Sequence, residues 1–522
     1  MTSQSPVVDA PKEVNNTHRA QRLATVKKLM VIQSDLYVRN YIQSGTLKRL
    51  LDEQFYFIAS ADIKLKADME ALPNFLGYYG FNIKETQRNQ FFFNIWLRRY
   101  KDRSSTFQFR CYRLDLKLRE KFSLAQVEKT RTFKRTQKVL SLLVGHQLAT
   151  KLSLPLARML RLFSLSSTDK QVFFSKLLGH PVLSDLYTWF FDHFTHPNTQ
   201  LEHYVKTLKP DVVMFPFQAL DDAGIDLVRL QKKYPYKTLY MIENWDNLSS
   251  KTVFWYKPDY LTVWGQQSVE HAALIQEIPN ERVFPIGTPR FQAYYEAMAR
   301  AAQGEQLPES PYPFKFILFA GYSWAFDELT ALHTLDDVLD RLQDRLPEPL
   351  KIVYRPHPWR FKRSCPDTFY SEDFKHVVLD EQLREVYYNP VQGYHQPDLT
   401  YYPRLLLNTE MAVGGLTSLM IELAICRKKL LVLGYDDGIH LTSPANAMKH
   451  NMHYEHIETV PGLEFVWNQE ALGPMFESLL LSGEDQMDWT LQREKVRYYH
   501  YDDPLSYQDR LEQVLLHVVQ ND

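Results

Sequence analysis

Short apolar segments alternate with longer amphipathic segments along this chain, and no other feature constrains its fold as strongly. The apolar segments have the length of buried strands, and the segments between them have the spacing of helices. Strands that alternate with helices in this way form parallel α/β sheets. The pattern occurs twice, at about 27–300 and at 310–490. We therefore predict an α/β protein with two facing, doubly wound, Rossmann-like domains.

The individual elements follow from the same pattern. In the first domain the predicted strands cover 27–33, 55–59, 211–215, 238–242, 261–264 and 283–286, with helices at 37–51, 219–234 and 270–277. In the second domain the predicted strands cover 314–320, 351–354, 411–413 and 430–433, with helices at 324–346 and 418–426. Residues 296–313 combine Ala, Gln and Glu with three prolines and indicate a linker. We expect a flexible tail at 1–26 and a helical segment at 491–522.

The net charge of -1 conceals a strongly basic segment. Residues 98–162 contain 17 Lys or Arg against four Asp or Glu, within a mainly helical insertion predicted at about 85–205 of the first domain. Such a segment could bind an anionic lipid surface or an anionic polymer, and it could equally be a charged helix face in water. The chain shows no groove-reading motif, so we expect no nucleic-acid partner.

Cysteine usage and hydropathy bear on where the protein works. Three cysteines without CxxC spacing argue against a disulfide framework and a zinc knuckle, and favour a reducing compartment. The most apolar long segment, 139–165, is interrupted by Lys151, Pro155, Arg158 and Arg161, which disfavours a membrane span. The first 21 residues lack the apolar region of a signal peptide. We expect a cytoplasmic protein, at most peripheral at the inner face of the membrane, with no metal and no cofactor.

The strongest candidate site follows the predicted strand at 411–413. Ligands of open parallel sheets bind beyond the carboxyl ends of the strands, and here Gly414 and Gly415 lead to a helix that opens with Thr417 and Ser418. Glycines let a ligand approach the backbone, and N–H groups and hydroxyls at a helix start can bind phosphate. Glu422, one turn further on, would reach a ribose. The alternative is that Thr417 or Ser418 only caps the helix.

A second candidate follows the predicted strand at 351–354. Arg355, His357 and Arg360 come directly after it, in a loop stiffened by two prolines. An imidazole there could donate to a phosphate or to a departing nucleotide oxygen, and arginine could neutralise its charge. The alternative is an ordinary turn histidine, since His-Pro occurs twice elsewhere in the chain without a preceding strand.

A third candidate, residues 243–251 (ENWDNLSSK), follows the predicted strand at 238–242. Glu243 and Asp246 could act as acid or base across a cleft from the imidazole of the second candidate, with Lys251 beside them. The alternative is a polar turn in which Asp and Asn cap the backbone. Arg290 closes the last strand–helix unit of the first domain and could face the same cleft.

Three histidines at 450, 453 and 456 have a spacing that could place them together on a helix. Metal sites favour other spacings and a further ligand. This segment is therefore predicted to be a solvated polar stretch.

These motifs resemble those of GT-B glycosyltransferases of bacterial surface-polysaccharide biosynthesis. Residues 243–251 and 283–291 (VFPIGTPRF) resemble first-domain signatures of that group. Residues 354–358 (YRPHP) resemble the loop of CDP-glycerol glycerophosphotransferases, with Arg355 in place of their lysine, and 415–422 (GLTSLMIE) resemble the Ser/Thr motif that follows it. The same order of a His-Pro motif and a Ser/Thr motif is found in sialyltransferases and capsule Kdo transferases that use CMP-sugars.

The resemblance implies a GT-B arrangement with the nucleotide donor on the second domain. His357 would contact the donor phosphate or its leaving group, Thr417 and Ser418 would bind phosphate, and Glu422 would lie near the nucleotide. The implied activity is transfer of a sugar, or of glycerol phosphate, from a nucleotide-activated donor to a glycan or lipid-linked acceptor, with a cytidine nucleotide favoured.

Two other functions stay open on the sequence. A UDP-sugar 2-epimerase shares the two-sheet layout but needs no acceptor. A non-catalytic subunit of polysaccharide assembly would use the basic face to bind a partner or a membrane, and it would have no affinity for nucleotides.

Overall fold

The structure is a computed structural model of the 522-residue chain. It describes residues 23–51, 54–102, 104–122, 127–162, 165–219, 221–322, 325–357, 369, 372–383, 399–482, 487–502 and 505–520. Two sheets of parallel strands organise these residues, and each sheet belongs to one domain.

The first sheet has seven strands in the order β3-β2-β1-β4-β5-β6-β7. Their bounds are β1 Lys28–Ile32, β2 Phe55–Ser60, β3 Phe75–Tyr79, β4 Val212–Phe217, β5 Lys237–Ile242, β6 Tyr260–Val263 and β7 Val283–Pro285. Side chains that alternate along β1 pack into two different hydrophobic clusters, Met30 and Ile32 on one face, Leu29 and Val31 on the other. A strand that is covered on both faces has apolar residues at successive positions, which is why this strand could be predicted from the sequence.

The second sheet has six strands in the order β10-β9-β8-β11-β12-β13. Their bounds are β8 Lys315–Ala320, β9 Leu350–Arg355, β10 Val377–Leu379, β11 Met411–Gly414, β12 Lys429–Leu433 and β13 Leu463–Val466. In both sheets the strand order reverses beside the first strand, at β1/β4 and at β8/β11, and such switch points open a crevice at the carboxyl ends of the strands. Two Rossmann-like domains that face each other make up the GT-B fold.

Helices fill the connections between the strands. In chain order they are α1 Asp35–Tyr37, α2 Lys66–Glu70, α3 Ile83–Leu97, α4 Ser105–Phe122, α5 Arg131–Val144, α6 His146–Leu162, α7 Ser167–Leu178, α8 Ser184–Phe194, α9 Thr199–Leu208, α10 Asp222–Leu230, α11 Gln266–Leu274, α12 Gln292–Ala302, α13 Glu328–Leu342, α14 Tyr401–Asn408, α15 Leu419–Ile425, α16 Pro444–His450, α17 Leu472–Leu481, α18 Trp489–Tyr499 and α19 Tyr507–Gln520. Helices α3 to α9 lie between β3 and β4 and form the helical insertion. None of the helices within the described ranges is both long and apolar enough to cross a bilayer.

The last part of the described chain returns from the second domain to the first. After α18, the backbone N–H of Tyr501 donates to the Trp264 carbonyl, and buried His500 accepts from the Thr288 N–H at 3.0 Å. Helix α19 then packs Leu511 and Leu515 into the core below the first sheet. The first domain therefore includes a helix that follows the whole second domain in sequence.

Several expected elements differ from the structure. Leu23 and Val26, predicted within a flexible tail, are buried in the core of the first domain, and residues 1–22 lie outside the described part. The predicted linker begins inside helix α12, which buries Tyr294 and Ala297 and so is held by packing. The predicted helix at 37–51 is replaced by α1 and a π-helical turn, Val38–Gln43, followed by turns.

Candidate active site between the two domains

A cleft of about 1170 Å³ opens at the switch points of the two sheets. Residues from both domains line it, and six of the residues predicted from sequence are among them: Arg290, Arg355, His357, Thr417, Ser418 and Glu422. They follow different strands and lie up to 132 residues apart in sequence. The rule that ligands bind beyond strand ends therefore brought these six together.

Glu422 is the centre of a polar cluster that joins the two domains. Its carboxylate accepts from Ser418 Oγ at 3.1 Å and from the Tyr294 hydroxyl at 3.0 Å. Nη2 of Arg290, from the first domain, lies 3.4 Å from Glu422 Oε1 and 3.5 Å from Ser418 Oγ. Burial and the neighbouring Glu422 raise the pKa of Tyr294 well above its ordinary value, so this phenol stays protonated and donates. The cluster fixes a cation of one domain against a carboxylate of the other.

The guanidinium group of Arg290 can still donate a strong hydrogen bond to a further partner. Charge-assisted N–H···O bonds are normally about 2.7–2.9 Å long, and both of its contacts in this cluster are longer. The guanidinium stacks over the rings of Trp264 and Phe291, at 5.2 and 4.7 Å from their centroids, which holds it at the cleft. An anion that entered the cleft would find this cation already positioned.

The hydroxyls of Thr417 and Ser418 form different hydrogen bonds. Thr417 Oγ1 accepts from the Leu419 N–H at 3.2 Å, so it provides the local cap that was the alternative interpretation. Ser418 makes no capping bond with its side chain and donates to Glu422 instead. Helix α15 has only seven residues, so the expected phosphate site at a helix start is not carried by a long helix dipole.

The two glycines at this junction are explained by packing. Gly414 and Gly415 are buried and do not line the cleft as the structure describes it. A Cβ on Gly415 would overlap the ring of Tyr322, whose hydroxyl donates to the Leu433 carbonyl. A Cβ on Gly414 would lie 3.1 Å from the Ala320 carbonyl oxygen of the neighbouring strand. The predicted role of close ligand approach is therefore corrected to room for Tyr322 and for β8.

Arg355 is held by a buried ion pair. Its Nη1 donates to Asp380 Oδ1 at 2.7 Å and its Nη2 donates to Gln382 Oε1 at 2.8 Å, while Asp380 also accepts from the Tyr401 hydroxyl at 2.9 Å. The side chain of Arg355 is 7% exposed and that of Asp380 is 0% exposed. The charge expected to meet a phosphate is thus balanced within the protein. Arg355 still lines the cleft, at the end of β9.

His357 lines the cleft two residues beyond this pair, and its side chain is half-buried. Its backbone crosses close to Gly321, which follows β8. A Cβ on Gly321 would lie 2.9 Å from the His357 nitrogen and 2.9 Å from Pro356 Cα. Glycine at 321 is therefore needed for the loop to hold His357 at the cleft. Arg360, the other cation predicted for this loop, lies outside the described residues.

Glu243 lies behind the cleft and not in its lining. Its buried carboxylate accepts from Asn40 Nδ2 at 2.9 Å and from the Tyr41 hydroxyl, both on the π-helical turn after β1. Burial raises the pKa of Glu243, and the bonds from Tyr41 and Asn40 and the charges of Arg290 and Arg39 oppose that rise. The structure places this predicted acid or base where it anchors the turn that carries Arg39.

Asp246 and Lys251 lie at a contact between the domains, away from the described lining of the cleft. Lys251 Nζ pairs with Asp246 Oδ2 at 3.0 Å. Next to them, His453 of the second domain is buried and shares a hydrogen bond of 2.8 Å with Ser250 Oγ. Burial lowers the pKa of His453 to about 3, although Asp246 favours the charged form. The predicted solvent exposure of this histidine was wrong, because it packs edge-on against the buried ring of Trp245.

Sequence reasoning missed three residues of the site. Arg39 lines the cleft from the turn after β1, Tyr294 lines it from α12, and Gly321 lines it after β8. Arg39 and Gly321 both follow predicted strands, so the strand-end rule could have selected them. Tyr294 lies two residues before the predicted linker and does not directly follow a strand, so it gave no such signal.

Comparison with known proteins gives structural similarity alone. No protein-family model matches the chain, and no curated protein matches its sequence. The UDP-GlcNAc 2-epimerase from Methanocaldococcus jannaschii has a TM-score of 0.45 and 10% identity, over 94% of this chain and 99% of that chain. A putative UDP-N-acetylglucosamine 2-epimerase from Listeria monocytogenes has a TM-score of 0.45 and 10% identity, over 95% and 98%.

A third solved structure covers less of the chain. The wall teichoic acid polymerase TagF with CDPG has a TM-score of 0.35 and 14% identity, over 61% of this chain and 74% of that chain. Similarity at these TM-scores and identities assigns no function, which must come from the cleft itself.

Proposed function

We propose that the protein is a transferase that uses a nucleotide-activated donor and binds it in the cleft between the two domains. The observation that carries the proposal is the meeting, in the cleft, of Arg290 from the first domain with Ser418 and Glu422, which follow the switch-point strand β11 of the second. Clefts at such points are where α/β sheets bind their ligands. The cleft offers a cation and hydroxyl donors to a phosphate, and a carboxylate to hydroxyl groups of the ligand.

In the transfer, the acceptor hydroxyl forms a bond to the transferred group and releases its proton, while the bond from that group to a phosphate oxygen breaks and this oxygen leaves with negative charge. Groups fixed beforehand around the place where charge develops lower the barrier most effectively. In this proposal His357 donates to the departing phosphate oxygen and Arg290 neutralises its charge. Ser418 binds a phosphate oxygen, and Glu422 accepts from a ribose hydroxyl.

The nature of the donor and acceptor is a further part of the proposal. The motifs at 354–358 and 415–422 favour a cytidine nucleotide that carries a sugar or glycerol phosphate. The acceptor, a growing surface glycan or its lipid-linked precursor, would enter from the first domain. There Arg39, Gln43 and Thr46 line the cleft.

Thermal unfolding of the purified chain with CMP, CDP, UMP, UDP, GDP and ADP tests the proposal. A nucleotide at 100 times its dissociation constant adds about 2.7 kcal/mol to the free energy of unfolding. We expect a cytidine nucleotide to raise the unfolding temperature of the native chain, and His357→Ala and Ser418→Ala to weaken that shift. His196→Ala is the matched control, because His196 is exposed, also precedes a proline and does not line the cleft.

Each outcome has a distinct meaning. Stabilisation by UDP or GDP alone would keep the donor site and discard the cytidine preference. Release of a free epimerised sugar from the donor without an acceptor would replace transfer by the epimerase alternative. If no nucleotide changes the unfolding temperature, and His357→Ala and His196→Ala behave alike, the remaining interpretation is a non-catalytic subunit of polysaccharide assembly.

A further inference from the structure

Helices α5 and α6 form a hairpin within the helical insertion, and this hairpin has an unusual distribution of side chains. The two helices join at Gly145, whose φ of 78° only glycine adopts readily, and they pack chiefly against each other. The hairpin is separate from the cleft lining as the structure describes it.

Small residues of α6 face the inside of the hairpin and large apolar residues face outward. Ala149, Ser153 and Ala157 recur every four residues and are buried. Leu148, Leu152 and Met159 lie on another face of the same helix, and their exposed fractions are between 42% and 52%. A helix in a water-soluble domain normally buries its large apolar stripe, so this outward stripe requires a partner.

The tip of the hairpin continues the apolar surface. Leu142 is 81% exposed, and Leu143 beside it is also exposed. Both lie within three residues of the turn at Gly145. The large apolar side chains of this surface therefore run from the tip along the outer face of α6.

The charge of the hairpin has one sign. Residues 131–162 contain seven Lys or Arg and no Asp or Glu. Arg131, Lys134, Arg135 and Lys138 recur at the spacing of one helix face on α5, and all four are exposed. A cationic face next to an apolar stripe is typical of helices that lie in a membrane interface.

We propose that the α5–α6 hairpin docks on an anionic lipid surface, with the apolar stripe at the headgroup–acyl boundary and the cations against the headgroups. The helices have 14 and 17 residues, about 21 and 26 Å in length, and are too short to span a hydrocarbon core of about 30 Å. They lie in the interface.

Other occupants fit the surface less well. A second copy of the hairpin would bring seven further cations and no acid against the first, so like charges oppose self-association. A purely anionic polymer would satisfy the cations and leave the stripe of Leu148, Leu152 and Met159 in water. An anionic lipid surface has an apolar interior beneath its charges and so satisfies both features.

Flotation with vesicles of phosphatidylcholine, with and without 30 mol% phosphatidylglycerol, tests the proposal on the full chain. We expect binding to the anionic vesicles that weakens as salt is added. Lys134→Gln, Arg135→Gln and Lys138→Gln together should weaken it about a hundredfold, since each cation near such a surface contributes roughly fivefold. Leu148→Gln, Leu152→Gln and Met159→Gln together should weaken it about a thousandfold, roughly tenfold for each apolar side chain no longer buried.

A matched control replaces exposed residues outside the hairpin. Lys206→Gln and Lys495→Gln remove two exposed cations, and Ile439→Gln removes an exposed apolar side chain, and this triple variant should bind as the native chain does. A cooperative thermal unfolding transition near that of the native chain shows that each variant folds, whether or not a nucleotide binds, so a failure here is separate from a failure of the donor site.

Three results would overturn the proposal. The first is no binding of the native chain to anionic vesicles at low salt. The second is binding that the glutamine variants of the apolar stripe leave unchanged, which would show a purely electrostatic contact such as an anionic polymer makes. The third is a dimer of the native chain in the absence of vesicles that the same variants dissociate.

Discussion

The buried ion pair between Arg355 and Asp380 gives the sharpest quantitative prediction. The two groups lie 2.7 Å apart and are almost completely excluded from solvent. Asp380→Asn keeps the size of the side chain and an acceptor oxygen, but it leaves the guanidinium buried without a counter-charge. Breaking a buried pair in this way costs about 3–5 kcal/mol, which corresponds to a hundredfold to several-thousandfold change in the unfolding equilibrium.

Urea denaturation followed by circular dichroism measures this loss, with the transition of the second domain as the readout. Glu410→Gln is the control in the same domain. Glu410 pairs with Lys315 at 2.7 Å, but both side chains are substantially exposed, so the loss should stay below about 1 kcal/mol. The two pairs have the same length and differ strongly in burial, which is the main reason for the difference between the two expected results.

The reasoning would be refuted if Asp380→Asn cost no more than Glu410→Gln. A second variant separates structure from ligand binding. Arg355→Met with Asp380→Leu removes both charges and should recover part of the stability, because apolar residues can replace a buried pair, although the Tyr401 hydroxyl and the Leu383 N–H lose their acceptor. If this variant is stable but no nucleotide stabilises it, Arg355 has a direct role at the donor in addition to its structural one.

Two more predictions concern the loop after β9 and the contact between the domains. Gly321→Ala would press a methyl group on the backbone of His357. We therefore expect the free energy of unfolding to fall by about 1–3 kcal/mol, and nucleotides to stabilise the variant less than the native chain. Gly473→Ala is the control and should change neither quantity, because the nearest atom to its new methyl group would be at 3.4 Å. Because burial lowers the pKa of His453 to about 3, the unfolded chain binds a proton below about pH 6.5 that the folded chain does not. The free energy of unfolding should therefore fall as the pH drops from 6.5 towards 3, by about 1.4 kcal/mol per pH unit for this group. His453→Gln should remove this contribution to the pH dependence of stability. The same pH dependence in the variant and the native chain between pH 4 and 6 would contradict the prediction.

The sequence predicted the central strands well because burial on both faces leaves a continuous apolar run, as in β1 and β4. Three strands away from the centre were missed. β3 contains Gly77 at a bulge and is half-exposed, β10 has only three residues, and β13 carries the exposed Glu464. A strand at the edge of a sheet is covered less completely, so fewer of its residues are apolar and its sequence is harder to recognise as a strand.

The sequence predicted which residues meet in the cleft better than it predicted the contacts they make there. The strand-end rule brought His357 and Ser418 to one cleft, because parallel strands end on one side of a sheet. It could not show that Arg355 is neutralised by Asp380, since that partner follows a separate short strand 25 residues later. It also could not show that Gly415 makes room for Tyr322, because a glycine in sequence does not reveal what approaches it.

Helix α19 makes the first domain discontinuous in sequence, and this has a consequence for folding during synthesis. Leu511, Leu515 and Val518 complete the core below β1, although β1 is made more than 450 residues earlier. While the ribosome translates the second domain, the first has an open apolar surface where α19 will pack. This surface must therefore be protected from aggregation until the second domain has been made. A chain released after translation had stopped just beyond β13 would have a first domain without its last helix.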